Sequence, residues 1–346
     1  MNTSRVTLKD VAAVCGYTVN TVSRALRGDQ RLSEATRERI CAVARQMGYA
    51  PNQIASSLRS GCTRIFAVIL GNMSNPFYGI MTDTIQDAAQ QAGYSLMIMC
   101  SRDDAALERQ LAEQAIARRV DGILLFPTAD SRPTVRRLRE AGMPFVLMAR
   151  CLAPGEADSV VCDEARGAYL ATMHLVEHGL KRLAYLSGST VVFSSEQRIK
   201  GFLDACADAG IPEADRRVWV LNDQPATNRS LSENVRFLVG HLRKLKAEGF
   251  DGLFVFCDVQ AWHVLYTLQN SPDIGVDDFG IVSFDNIEGA LAFPIPLCSI
   301  GCDYAEMARQ GIELLRARIH GDPRKPQTVV CPVHLICRGS CGRMRQ

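Results

Sequence analysis

After residue 61 the sequence alternates between short apolar runs and amphipathic stretches, and this alternation restricts the possible folds more than any other feature. The runs are RIFAVIL, YSLMIMC, GILLF, FVLMA, SVVC, LAYLS, VWVL, GLFVF and FGIVSF. Such runs indicate strands buried on both faces, and stretches such as ERQLAEQAIARRV indicate crossover helices. About ten strands exceed one small sheet, so the sequence predicts an α/β core of two doubly wound parallel-sheet lobes.

The predicted sheets also indicate where a ligand would bind. Ligands of open parallel sheets bind beyond the carboxyl ends of the strands. We therefore expect one cleft to be surrounded by the loops that follow Leu70, Ala149, Cys162, Ser187, Phe256 and Phe284.

The first 61 residues differ from the rest in charge. They contain nine Lys and Arg against four Asp and Glu, whereas the remainder has three more acidic than basic residues. A basic segment on a slightly acidic body is expected of a protein that contacts a polyanion at one end. A solvated helical surface would give the same charge, so charge alone leaves both interpretations open.

The apolar pattern of this basic segment distinguishes the two interpretations. Apolar residues at helical spacing predict a first helix with Leu8, Val11, Ala12 and Cys15 on its inner face. Gly16 permits a sharp turn, Thr18 caps a second helix, and Ser33 caps a third. This arrangement predicts a helix-turn-helix that presents Thr18, Val19 and Asn20 to the major groove of DNA.

The segments TLKDVAAVCGYTVNTVSRAL and TRERICAVARQMGYAPNQIASSLRSG closely resemble the DNA-binding head and hinge of the lactose-repressor (LacI/GalR) family of bacterial transcription regulators. The resemblance implies a helix-turn-helix domain over residues 1–50, a hinge helix and linker over 51–62, and a double-stranded palindromic operator as partner. It implies DNA contacts by Thr7, Thr18, Val19, Asn20, Thr21, Ser23, Arg24, Asn52, Ala55 and Leu58. Leu58 matches the leucine that the family inserts into the minor groove, where an apolar wedge kinks DNA.

The segments SNPFYGIM, VDGILLFP, QRIKGF, IVSFDN and HLICRGS resemble the effector-binding core of the same family, which is similar to periplasmic sugar-binding proteins. This implies an effector-binding and dimerisation core over residues 63–346. One lobe would combine 63–160 with 290–320, and the other 161–289 with 321–340. It further implies a homodimer, with closure of the lobes around a sugar, sugar acid or related metabolite shifting the hinge helices. We expect a repressor whose operator affinity the metabolite controls.

The resemblance also implies which residues bind the effector: Asn75, Phe77, Arg150, Ser194, Arg198, Asp258 and Asp285. The sequence departs from the family pattern at Ala149, where an aspartate commonly precedes the arginine, and at Cys257, where many relatives have asparagine. Because an arginine fork matches a carboxylate or phosphate, an anionic effector is one hypothesis. A neutral sugar is the other, with Arg150 pairing instead with an acid such as Asp163 or Glu164.

The thirteen cysteines include no Cys-x-x-Cys motif, and the close pairs Cys298/Cys302 and Cys337/Cys341 are unlike zinc-site spacings. We interpret them as reduced thiols and expect neither a metal nor a cofactor. HLVEH over 174–178 fits the His-x-x-Glu-His pattern of some zinc peptidases. The surrounding helix, however, resembles an ordinary helix of the repressor family, and neither a Gly-x-Ser-x-Gly elbow nor a phosphate loop occurs.

We therefore expect a regulator and not an enzyme, with a solute-binding protein and a metal-dependent hydrolase as alternatives. Met1–Asp10 has no apolar stretch typical of a signal peptide, and no run approaches the ~18 residues of a membrane span. We expect a cytoplasmic protein without a membrane partner.

Overall fold

The structure is a computed structural model that describes residues 6–50, 61–153, 155–187, 193–220, 231–287 and 296–342, without the side chains of 231–236. The chain divides into two compact units at the boundary between Thr63 and Arg64. We call the first unit the head and the second the core. Within the described ranges, no helix combines the length and apolarity needed to cross a membrane.

The described part of the head contains the three predicted helices, α1 (Leu8–Cys15), α2 (Val19–Leu26) and α3 (Glu34–Gln46). Gly16 ends α1 with φ 73°, a left-handed conformation that glycine adopts without steric cost and that turns the chain into α2. The apolar faces of the helices meet in a small buried cluster of Val11, Ala12, Cys15, Val22, Ala25, Ile40 and Ala44. The head is thus a helix-turn-helix with its own core, as predicted.

The core alternates strands and helices in the predicted manner. Its described elements are, in chain order, β1 (Ile65–Leu70), α4 (Pro76–Gln91), β2 (Ser95–Cys100), α5 (Ala105–Ala117), β3 (Gly122–Leu125), α6 (Arg132–Glu140), β4 (Phe145–Met148), β5 (Ser159–Cys162), α7 (Glu164–Glu177), β6 (Leu183–Ser187), α8 (Phe193–Asp208), β7 (Arg216–Val220), α9 (Leu231–Ala247), β8 (Gly252–Val255), α10 (Asp258–Gln269), β9 (Gly280–Phe284), β10 (Cys298–Cys302), α11 (Tyr304–Ile319), β11 (Thr328–Cys331) and β12 (Val333–Ile336).

These strands form two six-stranded sheets, with the orders β11-β5-β4-β3-β1-β2 and β12-β10-β9-β8-β6-β7. β12 runs antiparallel to β10, and the other paired strands of the described core are parallel. Each sheet and the helices on it form one lobe. The fold class predicted from the alternating pattern is therefore confirmed.

The inner strands of each sheet are buried on both faces, which explains their largely apolar sequences. In β1, Phe66, Val68 and Leu70 pack with α4 and α11 on one face. The intervening Ala67 and Ile69 pack with α5 and α6 on the other. The second sheet repeats this arrangement, with α9 and α10 on one face and α7 and α8 on the other.

The lobe boundaries differ from those implied by the resemblance. β10 was expected in the first lobe (290–320) but pairs with β9 and β12 in the second sheet. β11 was expected in the second lobe (321–340) but pairs with β5 in the first sheet. The chain therefore crosses between lobes after Cys162, after Cys302 and at Pro332. A strand of four or five apolar residues carries no signal for its partner sheet, because pairing depends on tertiary packing.

Candidate functional sites

The N-terminal end of α2 is the surface of the head best suited to reach the base edges of DNA. Val22 and Ala25 are buried in the head cluster, whereas Thr18 and Asn20 are exposed and Val19 is 40% exposed. A helix-turn-helix reads bases with this part of its second helix. The predicted base-reading residues are thus accessible.

Two of the threonines that we expect to contact DNA also cap helices. Thr18 caps α2 by accepting a hydrogen bond from the backbone N–H of Thr21 at 3.2 Å, and the two hydroxyls lie 2.9 Å apart. Thr7 caps α1, and its hydroxyl donates to Asp10 Oδ2 at 2.7 Å. Both residues therefore fix the start of a helix, where backbone N–H groups and the helix dipole favour a phosphate.

Arg24 is held by an acidic residue that sequence analysis did not single out. Its Nε donates to Asp29 Oδ2 at 2.9 Å, and Arg31 donates to both oxygens of the same carboxylate at 3.0 and 2.8 Å. Arg31 first, and then Arg24, hold the pKa of Asp29 well below its usual range. Arg24 is thus paired with an acid of the head itself. The expected hinge contacts Asn52, Ala55 and Leu58 lie outside the described residues.

In the core, a cleft of about 560 Å³, its open mouth included, lies at the carboxyl ends of strands from both sheets. It is lined by Asn75, Phe77, Tyr78, Phe126, Ala149, Arg150, Cys162, Glu164, Ser194, Arg198, Phe256, Phe284, Asp285 and Tyr304. Six of the seven residues expected to bind an effector are among them, and Asp258 is not. The described loops named from strand ends and the residues named from the resemblance thus meet at one place, whereas the loop after Ser187 lies outside the described residues.

Arg198, on α8, is the central polar group of the cleft. Its side chain is 6% exposed, and Nε donates to Glu164 Oε2 at 2.6 Å. A second guanidinium nitrogen donates to the carbonyl oxygen of Phe256, and Nη2 lies 3.7 Å from Asp285 Oδ1. The guanidinium carbon lies 3.7 Å from the centre of the Phe284 ring, a cation–π distance.

Close packing of α7 and α8 brings Glu164 to Arg198. Gly201 lies one turn after Arg198 on α8, and a Cβ there would overlap the carbonyl oxygen of Ala165 on α7. Glycine at this position therefore permits the two backbones to approach. The approach places the first residue of α7 beside the arginine.

The two carboxylates that flank Arg198 are buried in a way that opposes their ionisation. Burial raises the pKa of Glu164, while the nearby Arg198 lowers it in part. Burial also raises the pKa of Asp285 well above its usual range, again against the opposing charge of Arg198. Asp285 has φ 105°, and its carbonyl oxygen accepts a hydrogen bond from Tyr304 Oη at 2.5 Å. The backbone of Asp285 is thus anchored at the cleft wall by Tyr304.

Arg150 has partners other than the Asp163 or Glu164 suggested from sequence. Its Nη1 lies 3.6 Å from Asp103 Oδ1 and donates to the carbonyl oxygen of Pro127 at 3.1 Å. Arg150 is therefore not an uncompensated charge in the cleft. The argument for an anionic effector, which depended on such a charge, loses its basis.

Asp258 serves the fold and does not reach the cleft. The residue has no exposed surface, and its carboxylate accepts hydrogen bonds from Ser283, from Ser299 Oγ at 2.6 Å and from the backbone N–H of Ile287 at 2.7 Å. The expectation that Asp258 contacts the effector is corrected accordingly. Asp258 instead joins the start of α10 to β9 and β10.

Aromatic side chains form the apolar walls of the cleft. Phe77 makes edge contacts with Tyr304 and Phe126, at ring-centre distances of 5.6 and 6.4 Å. Tyr78 is buried beside them, and burial raises the pKa of its hydroxyl to about 12, so the hydroxyl stays protonated near neutral pH. These rings leave the polar groups of the cleft concentrated around Arg198 and Arg150.

Sequence analysis missed several lining residues although one signal pointed to them. Phe126 directly follows β3, Phe256 directly follows β8, and Glu164 comes two residues after β5. The rule that ligands bind beyond the carboxyl ends of strands covers these positions as well. Asp103 comes three residues after β2 and is covered by the same rule, but its pairing with Arg150 could not be predicted, because that pairing depends on how two loops meet.

A helix-turn-helix head followed by a two-lobed core with a polar cleft defines a DNA-binding protein with a site for a small ligand. Residues 7–52 match the family model described as "Bacterial regulatory proteins, lacI family". Residues 63–235 match "Periplasmic binding proteins and sugar binding domain of LacI family", and residues 172–341 match "Periplasmic binding protein-like domain". The chain belongs to the LacI family of DNA-binding transcriptional regulators. This membership excludes the two alternatives, an enzyme and a solute-binding protein without DNA-binding function.

Relatives match along nearly the whole chain. The regulator DegA of Bacillus subtilis (strain 168) is 28% identical, covering 97% of this chain and 98% of DegA. The repressor PurR of Photobacterium profundum is 25% identical, and the match covers 96% of this chain and 98% of PurR. Among solved structures, the complex of the regulator CelR with cellobiose has 26% identity and a TM-score of 0.69, and the match covers 97% of this chain and 100% of the CelR chain. A lac repressor dimer bound to operator and the anti-inducer ONPF has 21% identity and a TM-score of 0.81. The match covers 98% of this chain and 100% of the lac repressor chain, and it shows that the two share a fold.

Proposed function

We propose that this chain is a repressor that binds a palindromic operator as a homodimer, and that a neutral polyhydroxylated metabolite bound between the lobes controls its operator affinity. The proposed class of ligand is supported by the buried group that Arg198, Glu164 and Asp285 form at the wall of the cleft. A carboxylate accepts hydrogen bonds from hydroxyl groups, and a guanidinium donates to their oxygens. Such a group fits a sugar.

The charge balance of the cleft favours a neutral ligand over a sugar acid. Arg198 faces Glu164 and Asp285, and Arg150 faces Asp103, so no guanidinium requires an additional anion. Adding a carboxylate or phosphate would leave an excess of negative charge in a buried site, which is costly. The cellobiose bound by the related regulator CelR supports the same class.

Operator binding and dimerisation are supported by two surfaces. The exposed N-terminal end of α2 is available to base edges. β2 is an edge strand of apolar sequence (SLMIMC) in which Ile98 is 46% exposed, and exposed apolar edges are normally covered. A dimer formed there would also double the DNA contact that a single small head makes.

A thermal-shift screen of the full-length protein tests the ligand class, with neutral sugars, sugar acids and nucleosides as probes. A ligand at 100 times its dissociation constant stabilises the folded state by ~2.7 kcal/mol. Calorimetry on Asp285→Asn should show loss of sugar binding, because the carboxylate is an acceptor for hydroxyl groups. Asp204→Asn, an exposed position on the same helix as Arg198, is the matched control and should bind normally.

The regulatory part of the proposal needs a DNA-binding measurement. Fluorescence anisotropy with a selected palindrome should show a change in operator affinity when the bound sugar is added, and none in Asp285→Asn. Binding restricted to sugar acids or to nucleosides would refute the neutral-sugar assignment. A sugar that binds without altering operator affinity would refute the regulatory role.

A further inference from the structure

Three cysteines and a histidine that are far apart in sequence converge in the second lobe. Cys298 begins β10, Cys337 and Cys341 follow β12, and His174 lies in the last turn of α7. The potential metal-binding atoms of these four side chains all lie within 4.8 Å of one another. The cluster is separate from the cleft, none of whose lining residues belongs to it.

The sulfur atoms are spaced as the corners of a tetrahedral metal site. The Sγ atoms of Cys298 and Cys337 are 3.8 Å apart, and those of Cys337 and Cys341 are 3.6 Å apart. With zinc–sulfur bonds of about 2.3 Å, tetrahedral geometry requires sulfur–sulfur distances of about 3.8 Å. A disulfide would require about 2.05 Å, and all three cysteines are free thiols. The existing spacing thus suits a metal ion without rearrangement of the backbone.

The histidine supplies an independent indication. Nε2 of His174 is buried and has no hydrogen-bond partner among the described residues. Buried polar atoms are nearly always hydrogen-bonded, so an unpaired one requires an explanation. A bond to a metal ion would satisfy this nitrogen.

Groups around the cluster would hold its members in place. The backbone N–H of Arg338 donates to Cys298 Sγ at 3.2 Å. Nδ1 of His178 lies 2.8 Å from the carbonyl oxygen of His174, and because a carbonyl only accepts, this nitrogen carries the proton. Nε2 of His178 lies 3.3 Å from Cys341 Sγ. Supporting contacts of this kind orient ligands in metal sites.

We propose that His174, Cys298, Cys337 and Cys341 bind one Zn²⁺ ion in a tetrahedral site. Four zinc–ligand bonds form, up to three thiol protons are released to solvent, and no group is oxidised or reduced. Four protein ligands leave no open position, so the ion is structural. It would join the segment after β12 to α7 and β10, and the exposed Cys337 would give the ion its path of entry. The proposal is independent of the effector.

Metal analysis of the full-length protein tests this directly. Protein purified with reductant and incubated with equimolar Zn²⁺ should retain one zinc per chain after gel filtration. Titration with Co²⁺ should give the visible absorption bands of tetrahedral thiolate coordination. Cys337→Ser, at an exposed position, should fold and bind Co²⁺ roughly 100-fold more weakly or worse, because loss of even an outer-shell partner costs 10–100-fold. His174→Gln should behave in the same way.

Cys62→Ser removes an exposed cysteine outside the cluster and is the matched control, which should retain one zinc. The proposal is overturned if the wild-type protein holds no more zinc than Cys337→Ser, or if Cys62→Ser loses metal equally. It is also overturned if mass spectrometry finds a disulfide among the three cysteines in protein prepared with reductant and Zn²⁺.

Discussion

At the scale of single residues, the cleft depends on Arg198 and the two acids beside it. Removing charges from water is costly, and this cost is recovered only when the charges are paired and hydrogen-bonded. Arg198 meets that condition through Glu164, and Asp285 is a second acid at longer range. Asp285 is thus the member of the group whose burial is compensated least.

The variant Asp285→Asn tests how much the burial of this carboxyl group costs in stability. Because burial raises the pKa of Asp285 in the folded state, its contribution to stability is fully present below its unfolded pKa of about 4 and is lost as pH rises through the folded value. The variant has no such loss. Urea unfolding should show the variant gaining stability relative to the wild type as the pH rises from about 4 to about 8. A variant that is less stable at the higher pH would show that the Asp285 carboxylate stabilises the fold.

Arg198→Met should destabilise the core strongly, because it leaves Glu164 and Asp285 buried without their cation. Breaking a buried pair in this way costs about 3–5 kcal/mol. The loss should be largest at about pH 8 and shrink as the acids are protonated at low pH. Urea unfolding at both pH values measures it. Arg136→Met, at an exposed arginine on α6, should change stability by no more than ~0.5 kcal/mol.

At the scale of elements, α2 shows how a short helix acquires a defined end. Eight residues are too few for a stable isolated helix, so α2 depends on its cap and its buried face. Thr18 supplies the cap, and Val22 and Ala25 supply the face. Asn20 is thereby held at the exposed end of a fixed helix.

Asn20→Ala should change which operator the protein prefers, because an asparagine can make a bidentate contact to adenine worth ~1–3 kcal/mol of discrimination. Selection of binding sites from a random library measures the preference. Gln30→Ala, which removes an exposed amide outside the recognition helix, should leave it unchanged. An unaltered consensus for Asn20→Ala would mean that α2 is not the reading helix.

The elements could be predicted from sequence because each depends on a local pattern. The run RIFAVIL predicted β1, and the apolar positions from Leu8 to Cys15 with Gly16 after them predicted α1. The sheet to which β10 and β11 belong could not be predicted, because it depends on tertiary pairing. For the same reason, the pairing of Arg150 with Asp103 in the cleft could not be predicted. The cluster of three cysteines and one histidine could not be predicted either, because its members are distant in sequence and lack a zinc-site spacing.

At the scale of the whole molecule, the first sheet has two edge strands of different character. β2 is six residues long and apolar throughout except for Ser95, whereas β11 is a four-residue strand. Each edge carries one exposed apolar side chain, Ile98 at 46% and Val330 at 54%. The longer, more apolar edge is the better candidate for contact with a second copy of the chain.

Ile98→Asp should therefore convert a dimer into a monomer, since a buried, unpaired carboxylate at an interface is costly. Sedimentation velocity at micromolar concentration measures the assembly state. Loss of the second head should weaken binding to a palindromic operator by about 10²- to 10⁴-fold, the range that linked binding sites commonly provide. Val330→Asp places the same charge at the opposite edge and should remain dimeric with unchanged operator affinity. If Val330→Asp dissociates and Ile98→Asp does not, the dimer forms through the β11 edge. A wild-type protein that is monomeric with and without operator would contradict the proposed assembly altogether.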